Sequence, residues 1–264
     1  MLTTLTRTPP HTTKPALVFL HFFGGSIQSW NAVLDQLAEE FYCLTIDLPG
    51  FGESPALTEH QSVDDVSNEV AAVITAQLGT RPFLLIGHSM GGKIALALAA
   101  GTLADYRSTG LRGMVLLAPS PPGAEPITNK DRQEMLEQPS LPPDEQRKAA
   151  GKTVANITNL PLSDTIRQQL IADNLRSSPQ GWSAWLTTGS LNDITDRMGR
   201  IDVPVTILAG DHDNALPHSV QSTMVQPYLP QATIEIISGA GHLLPLETPT
   251  AVSRAIRNLS DRVH

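Results

Sequence analysis

The chain has 264 residues, of which 41% are apolar and 17% charged, a balance that suits a folded domain and excludes a disordered one. Its formal net charge of −8 repels phosphate backbones, so nucleic acid is not an expected partner. A single cysteine, Cys43, excludes an internal disulfide and a four-cysteine zinc site.

Residues 1–14 are rich in Thr and Pro and lack the apolar core of a signal peptide, and no apolar run approaches the ~18 residues of a membrane span. A cytoplasmic chain with no membrane partner is therefore expected. Residues 16–20 form the first short apolar run, bounded by Pro15 and Gly24. Residues 30–39 place Val33, Leu34 and Leu37 at helical spacing. A second apolar run, 42–48, contains Cys43 as a buried packing residue and stops at Pro49-Gly50. Residues 62–78 predict a helix with Ser62 as N-cap, Asp65 three residues on, and Val66, Val70, Val73 and Ile74 on one face. The run 82–86 ends at Gly87, and residues 91–100, small and apolar all round, predict a helix buried against a sheet. Further runs cover 113–118, 203–209 and 232–237, and a last helix is expected from near Leu246.

Unbroken apolar runs of this length suit strands covered on both faces. Their alternation with helices predicts an α/β fold with a mainly parallel sheet and right-handed crossovers. The alternation breaks between residues 120 and 200, which are richer in Pro, Gln, Ser and Asp, with helical patterns at 163–175 and 180–186 and no clear strand. That is too long for an ordinary loop. The expected organisation is a core of residues 1–119 and 201–264, with 120–200 inserted as a helical cap over the C-terminal edge of the sheet. A separate second domain is the weaker alternative, because the strand pattern resumes afterwards.

The strongest chemical signal is Gly87-His88-Ser89-Met90-Gly91-Gly92, which follows an apolar strand and opens an Ala-rich helix. This is the context of a nucleophile elbow, a turn tight enough to strain Ser89 and expose it at a helix N-terminus where negative charge is favoured. A serine hydroxyl needs a base, and the base an orienter, which on such a scaffold follow in the order Ser, acid, His. His242, after Gly239-Ala240-Gly241, is the best base; His88, His212 and His218 are poorer candidates. In Gly210-Asp211-His212-Asp213, the spacing before Pro217 favours Asp213 as the acid, with Asp211 as a loop-stabilising side chain. The Met90 N–H, next after the nucleophile, is one expected oxyanion donor, and the loop His21-Phe22-Phe23-Gly24-Gly25-Ser26 is expected to supply another.

Taken together, His21 to Ser26, Asp47-Leu48-Pro49-Gly50-Phe51-Gly52-Glu53-Ser54, Gly87 to Gly92, Gly210 to Asp213 and Gly241-His242 occur in an order that resembles the α/β-hydrolase superfamily, in its capped branch of esterases, lactonases and cofactor-free haloperoxidase-like enzymes. The resemblance runs from about residue 16 to 259. It implies that Phe23 is the second oxyanion donor and that Asp47 is a turn residue without a catalytic role. It implies neither cofactor nor metal. Two departures stand out: Phe22 occupies a position usually held by Gly, which reshapes the oxyanion loop and pocket floor, and the segment before Ala16 leaves room for only one opening edge strand, within residues 2–7. Trp182 and Trp185 are expected either to line the substrate pocket with Phe22 or to pack the insertion onto the core.

The implied activity is hydrolysis of a small or medium carboxylic ester through an acyl-enzyme, using Ser89, Asp213 and His242, with a small-molecule substrate as partner. Perhydrolysis, lactone opening, carbon–carbon bond hydrolysis and cyanohydrin cleavage are alternatives on the same scaffold. A non-catalytic ligand receptor is the rival outside enzymology, disfavoured because all three triad candidates are present. Substrate identity and oligomeric state are not legible in the chain.

Overall fold

A computed structural model describes residues 1–57, 61–101, 103 and 109–263. Seven strands form one sheet in the order β1-β3-β2-β4-β5-β6-β7. They are β1 (Thr4–Arg7), β2 (Ala16–Leu20), β3 (Cys43–Ile46), β4 (Phe83–His88), β5 (Leu111–Leu117), β6 (Val205–Gly210) and β7 (Thr233–Ile237). Only β1 runs antiparallel, pairing Thr4 with Ile46 and Arg7 with Cys43; it is the single edge strand for which residues 2–7 left room. All six apolar runs became strands, and those in the centre are buried throughout because helices cover both faces.

The two-residue period of a strand sends its side chains to opposite faces. In β2, Leu17 and Phe19 pack with Trp30, Val33, Leu34 and Leu37 near or on α1 (Asn31–Leu37) and with Val252, Ile256 and Leu259 of α8 (Pro249–Val263). Ala16, Val18 and Leu20 face the other way, toward Val70 and Ile74 of α2 (Val63–Leu78) and toward α3 (Met90–Ala100). The α2 start is as expected: Ser62 Oγ accepts from the Asp65 N–H at 3.1 Å, and the Ser62 N–H donates to Asp65 Oδ2 at 3.0 Å.

Between β5 and β6 the chain forms α4 (Asn129–Glu137), α5 (Pro143–Ile157), α6 (Asp164–Arg176) and α7 (Pro179–Thr187). The last two match the helical patterns read from the sequence. The first two were not expected: α4 buries no residue and α5 only Ala150 and Val154, so neither carries a long apolar stripe. The insertion rests on loops that leave the C-terminal ends of strands. Ala150, Val154, Leu170 and Ile171 pack with Phe22 after β2 and Leu243 after β7. Gly181 meets Gly50 after β3 so closely that a Cβ on Gly50 would lie 2.8 Å from the Gly181 Cα. Among the described residues no helix is long and apolar enough to cross a membrane.

Candidate active site

Ser89 sits between β4 and α3 with φ 54° and ψ −115°, a left-handed backbone that a non-glycine residue adopts only under constraint. Its glycine neighbours permit this turn sterically. A Cβ on Gly87 would lie 2.5 Å from the Gly91 carbonyl oxygen, and one on Gly91 would lie 2.3 Å from that of Leu20. The turn is tied to the next strand, since the Ser89 N–H donates to Leu117 O and the Ser120 N–H donates to Ser89 O. Ser89 therefore stands at the N-terminus of an 11-residue helix, where unpaired amides favour negative charge.

Asp213 and His242 lie in the loops after β6 and β7, and the structure brings them together. His242 Nδ1 is 2.7 Å from Asp213 Oδ2, with both side chains almost wholly buried. Asp213 Oδ1 accepts from the Ala215 and Leu216 N–H groups, each at 2.8 Å, which fixes the carboxylate plane. Burial alone would push Asp213 up, but the His242 charge and these hydrogen bonds hold it below the usual carboxylate range. Burial likewise pushes His242 down, and the Asp213 carboxylate outweighs it, so the imidazole is held above its ordinary value. Asp211 takes the loop role expected of it, accepting from the Gly239 N–H at 2.7 Å and facing His212 Nδ1 at 2.7 Å. Asp47 is a turn residue: its carboxylate accepts from the Ile27 and Glu53 N–H groups, and its carbonyl from Ser54 Oγ.

The other buried histidines are neutral braces. His88 Nε2 donates to the His242 carbonyl at 2.8 Å, and burial keeps its pKa well below the ordinary value. It thereby joins the elbow to the loop of His242, with the two rings 5.0 Å apart. The Leu48 N–H donates to His21 Nε2, so Nδ1 carries the proton and donates to Phe22 O at 2.7 Å. That bond and the Gly25 N–H to Phe22 O bond fold the oxyanion loop back on itself. Among the described residues, the N–H groups of Phe23 and Met90 have no acceptor in the protein. The Met90 amide follows the strained serine directly, and the loop of Phe23 is tied to the elbow by the Gly91 N–H, which donates to His21 O.

The aromatic candidates divide. Phe22 is buried under the insertion, its ring lying over Gly25 and 5.1 Å from the His88 ring. Trp182 stacks on Phe23 at 4.2 Å and donates through Nε1 to Met135 O at 2.7 Å, which makes it a packing residue between insertion and core. Trp185 borders a cavity of about 20 Å³ with Leu48, Phe51, Met90 and Ile94, room for about one water molecule. Of the two tryptophans, only Trp185 borders that cavity.

Two residues were missed in the sequence. Glu247 accepts from the N–H groups of Gly241 and Leu243, on either side of His242, and from Asn159 and Leu160 of the insertion. Its only sequence signal is a carboxylate five residues after the histidine. Lys93, one turn after Ser89, is fully buried and donates to Gly123 O at 2.8 Å and Asn192 O at 2.6 Å, tying both ends of the insertion to α3. Burial lowers its pKa to about 8.

Comparison with known proteins identifies the family. The chain is 30% identical over 254 residues to a Bacillus subtilis (strain 168) protein named for 2-succinyl-6-hydroxy-2,4-cyclohexadiene-1-carboxylate synthase activity, covering 91% of this chain and 88% of that one. It is 28% identical over 251 residues to the sn-1-specific diacylglycerol lipase ABHD11 of Mus musculus, covering 90% and 78%. Among solved structures, the bromoperoxidase of Bacillus anthracis superimposes with a TM-score of 0.84 at 18% identity over 97% of this chain and 94% of that one, a likeness of fold. The model of the Alpha/beta hydrolase family matches residues 17–255, and the chain belongs to that family.

Proposed function

We propose that the enzyme is a serine hydrolase that cleaves a small or medium carboxylic ester through an acyl-enzyme. The observation that carries this reading is the buried 2.7 Å pair of Asp213 and His242 in the loops beside a strained Ser89. In the first step His242 takes the Ser89 proton and Ser89 Oγ attacks the ester carbonyl carbon. The N–H groups of Phe23 and Met90 receive the oxyanion. His242 then gives its proton to the departing alcohol, and water releases the acid by the same steps reversed. Asp213 keeps the proton of neutral His242 on Nδ1, so that Nε2 is free to accept, and it stabilises the imidazolium. Residues 120–200 act as a cap, packed on the loops after β2 and β7 through Phe22 and Leu243.

The test is Ser89→Ala with a short-chain nitrophenyl ester and a fluorophosphonate label. The expected result is loss of both turnover and labelling with the thermal unfolding transition retained; wild-type-like turnover in the variant would refute the assignment.

A second reading is favoured by the 30% identity to the Bacillus subtilis protein, namely synthesis of 2-succinyl-6-hydroxy-2,4-cyclohexadiene-1-carboxylate. Formation of that product by this chain, without ester turnover, would replace the hydrolase reading.

A further inference from the structure

The loop that follows β5 carries a carboxylate for which the triad has no use. Glu125 is fixed in a tight turn: its N–H donates to Ser190 O at 2.8 Å, and its carbonyl accepts from the Ile127 N–H at 2.7 Å. Its side chain is directed back to the elbow, where Ser120 Oγ donates to Glu125 Oε2 at 3.0 Å. Ser120 is fully buried, and its own N–H holds the carbonyl of Ser89. Two hydrogen bonds therefore link this carboxyl group to the residue proposed as nucleophile. Among the described residues the Ser120 hydroxyl is the only hydrogen-bond partner of the carboxyl group, which is half-buried.

The charged groups that face Glu125 come from three elements: Lys93 on α3, Arg132 on α4 and His242 after β7. Lys93 and Arg132 both donate to oxygens other than those of Glu125. Lys93 donates to the carbonyls of Gly123 and Asn192, while Arg132 donates to Leu186 O and Ser190 Oγ. Neither forms an ion pair with Glu125. His242 in turn is faced by Asp213, Glu125 and Glu247. Burial raises the Glu125 carboxyl above its ordinary value, against the Ser120 hydrogen bond and the three positive groups.

We propose that Glu125 is a second acid of the site, acting through space on His242: it stabilises the imidazolium opposite Asp213 and makes the pocket favour cationic over anionic substrates. The substrate half of this rests on the hydrolase reading; the effect on His242 does not. Glu125 is a positioning and selectivity residue, with no bond made or broken at its oxygens.

The test uses the full chain, on the alkaline side of neutrality, with aryl acetates that differ only in the para group: trimethylammoniomethyl, carboxamide or carboxylate. Wild type is expected to order kcat/KM as cation above neutral above anion. In Glu125→Gln the cation-to-anion ratio falls about threefold to tenfold, as expected for one carboxylate in a shared pocket. The imidazole of His242, followed by NMR titration, loses its proton at lower pH in the variant. A merely structural glutamate would move neither the ratio nor the titration. An unchanged ratio together with an unchanged titration overturns the inference, and so does a wild-type preference for the anionic ester, which needs no variant at all. Should no acetate be hydrolysed and Ser89 take no label, the hydrolase reading fails instead, and the His242 titration alone decides the role of Glu125.

Discussion

Replacing Asp213 with Asn tests the chemistry of the site with almost no change of shape. Oδ1 accepts from the Ala215 and Leu216 N–H groups at 2.8 Å, and two donors cannot be faced by an NH₂ group, so the new amide must keep its oxygen there. The amide nitrogen then lies where Oδ2 did, 2.7 Å from His242 Nδ1, and donates to it. Nδ1 becomes an acceptor, the ring proton moves to Nε2, and the nitrogen that should take the Ser89 proton already carries one. Wrong-tautomer triads lose about 10⁴ in kcat. At about 1.4 kcal/mol per decade this is ~5.5 kcal/mol of barrier. The fold loses less, because one hydrogen bond replaces another: about 1–2 kcal/mol of stability, or a few degrees in Tm. The measurements are kcat on a nitrophenyl ester and thermal unfolding of the same preparation. A folded variant within about tenfold of wild type would sink the tautomer argument. A loss of more than about 4 kcal/mol of stability would show that the pair mainly holds the fold.

Three further outcomes are expected. Because the base must be neutral and His242 is raised, kcat/KM should climb with pH through an apparent pKa above 6.5; in stability, the His242 contribution is complete below 6.5 and lost as pH rises through its folded value, while that of lowered Asp213 is present above 3.8 and lost as pH falls through its own, so urea titrations should find Asp213→Asn most damaging between those two values. Lys93 is held near 8 against an ordinary 10.5, a penalty of about 3 kcal/mol that is complete below 8 and relieved as pH rises toward 10.5; unfolding free energies across that interval should therefore rise in wild type relative to Lys93→Met, and parallel curves would contradict it. Glu247→Ala removes the acceptor for four backbone N–H groups around His242, and calorimetry should show about 2–4 kcal/mol of lost stability with a fall in kcat larger than the change in KM.

Several parts of the molecule were legible because the information is local. A strand covered on both faces has no choice but an unbroken apolar run, as in β2 and β6, and the largely exposed edge strand β7 was visible by the same kind of run. The elbow was visible because its glycines answer to contacts within the turn and its neighbouring strand, as at Gly87 and Gly91. The helices α4 and α5 were not visible, since a helix that buries few side chains needs little apolar periodicity. Trp182 and Trp185 look alike in the chain and differ only in what surrounds them. One stacks on Phe23 of the core and donates to Met135 O within the insertion, and the other borders the cavity beside Met90.

By itself, the sequence determined the α/β class, the parallel sheet and the strained position of Ser89, and it singled out His242 and Asp213 as candidates, since each of these depends on residue type within a short window. Only the tertiary structure decided what stands around them: the partners of Asp213, the brace of His88 against His242, the grip of Glu247 on the loop, and the approach of Glu125 to the elbow. The His88–His242 and Asp213–His242 contacts join residues far apart in the chain, and electrostatic effects at such sites depend on separation and burial rather than on sequence neighbours.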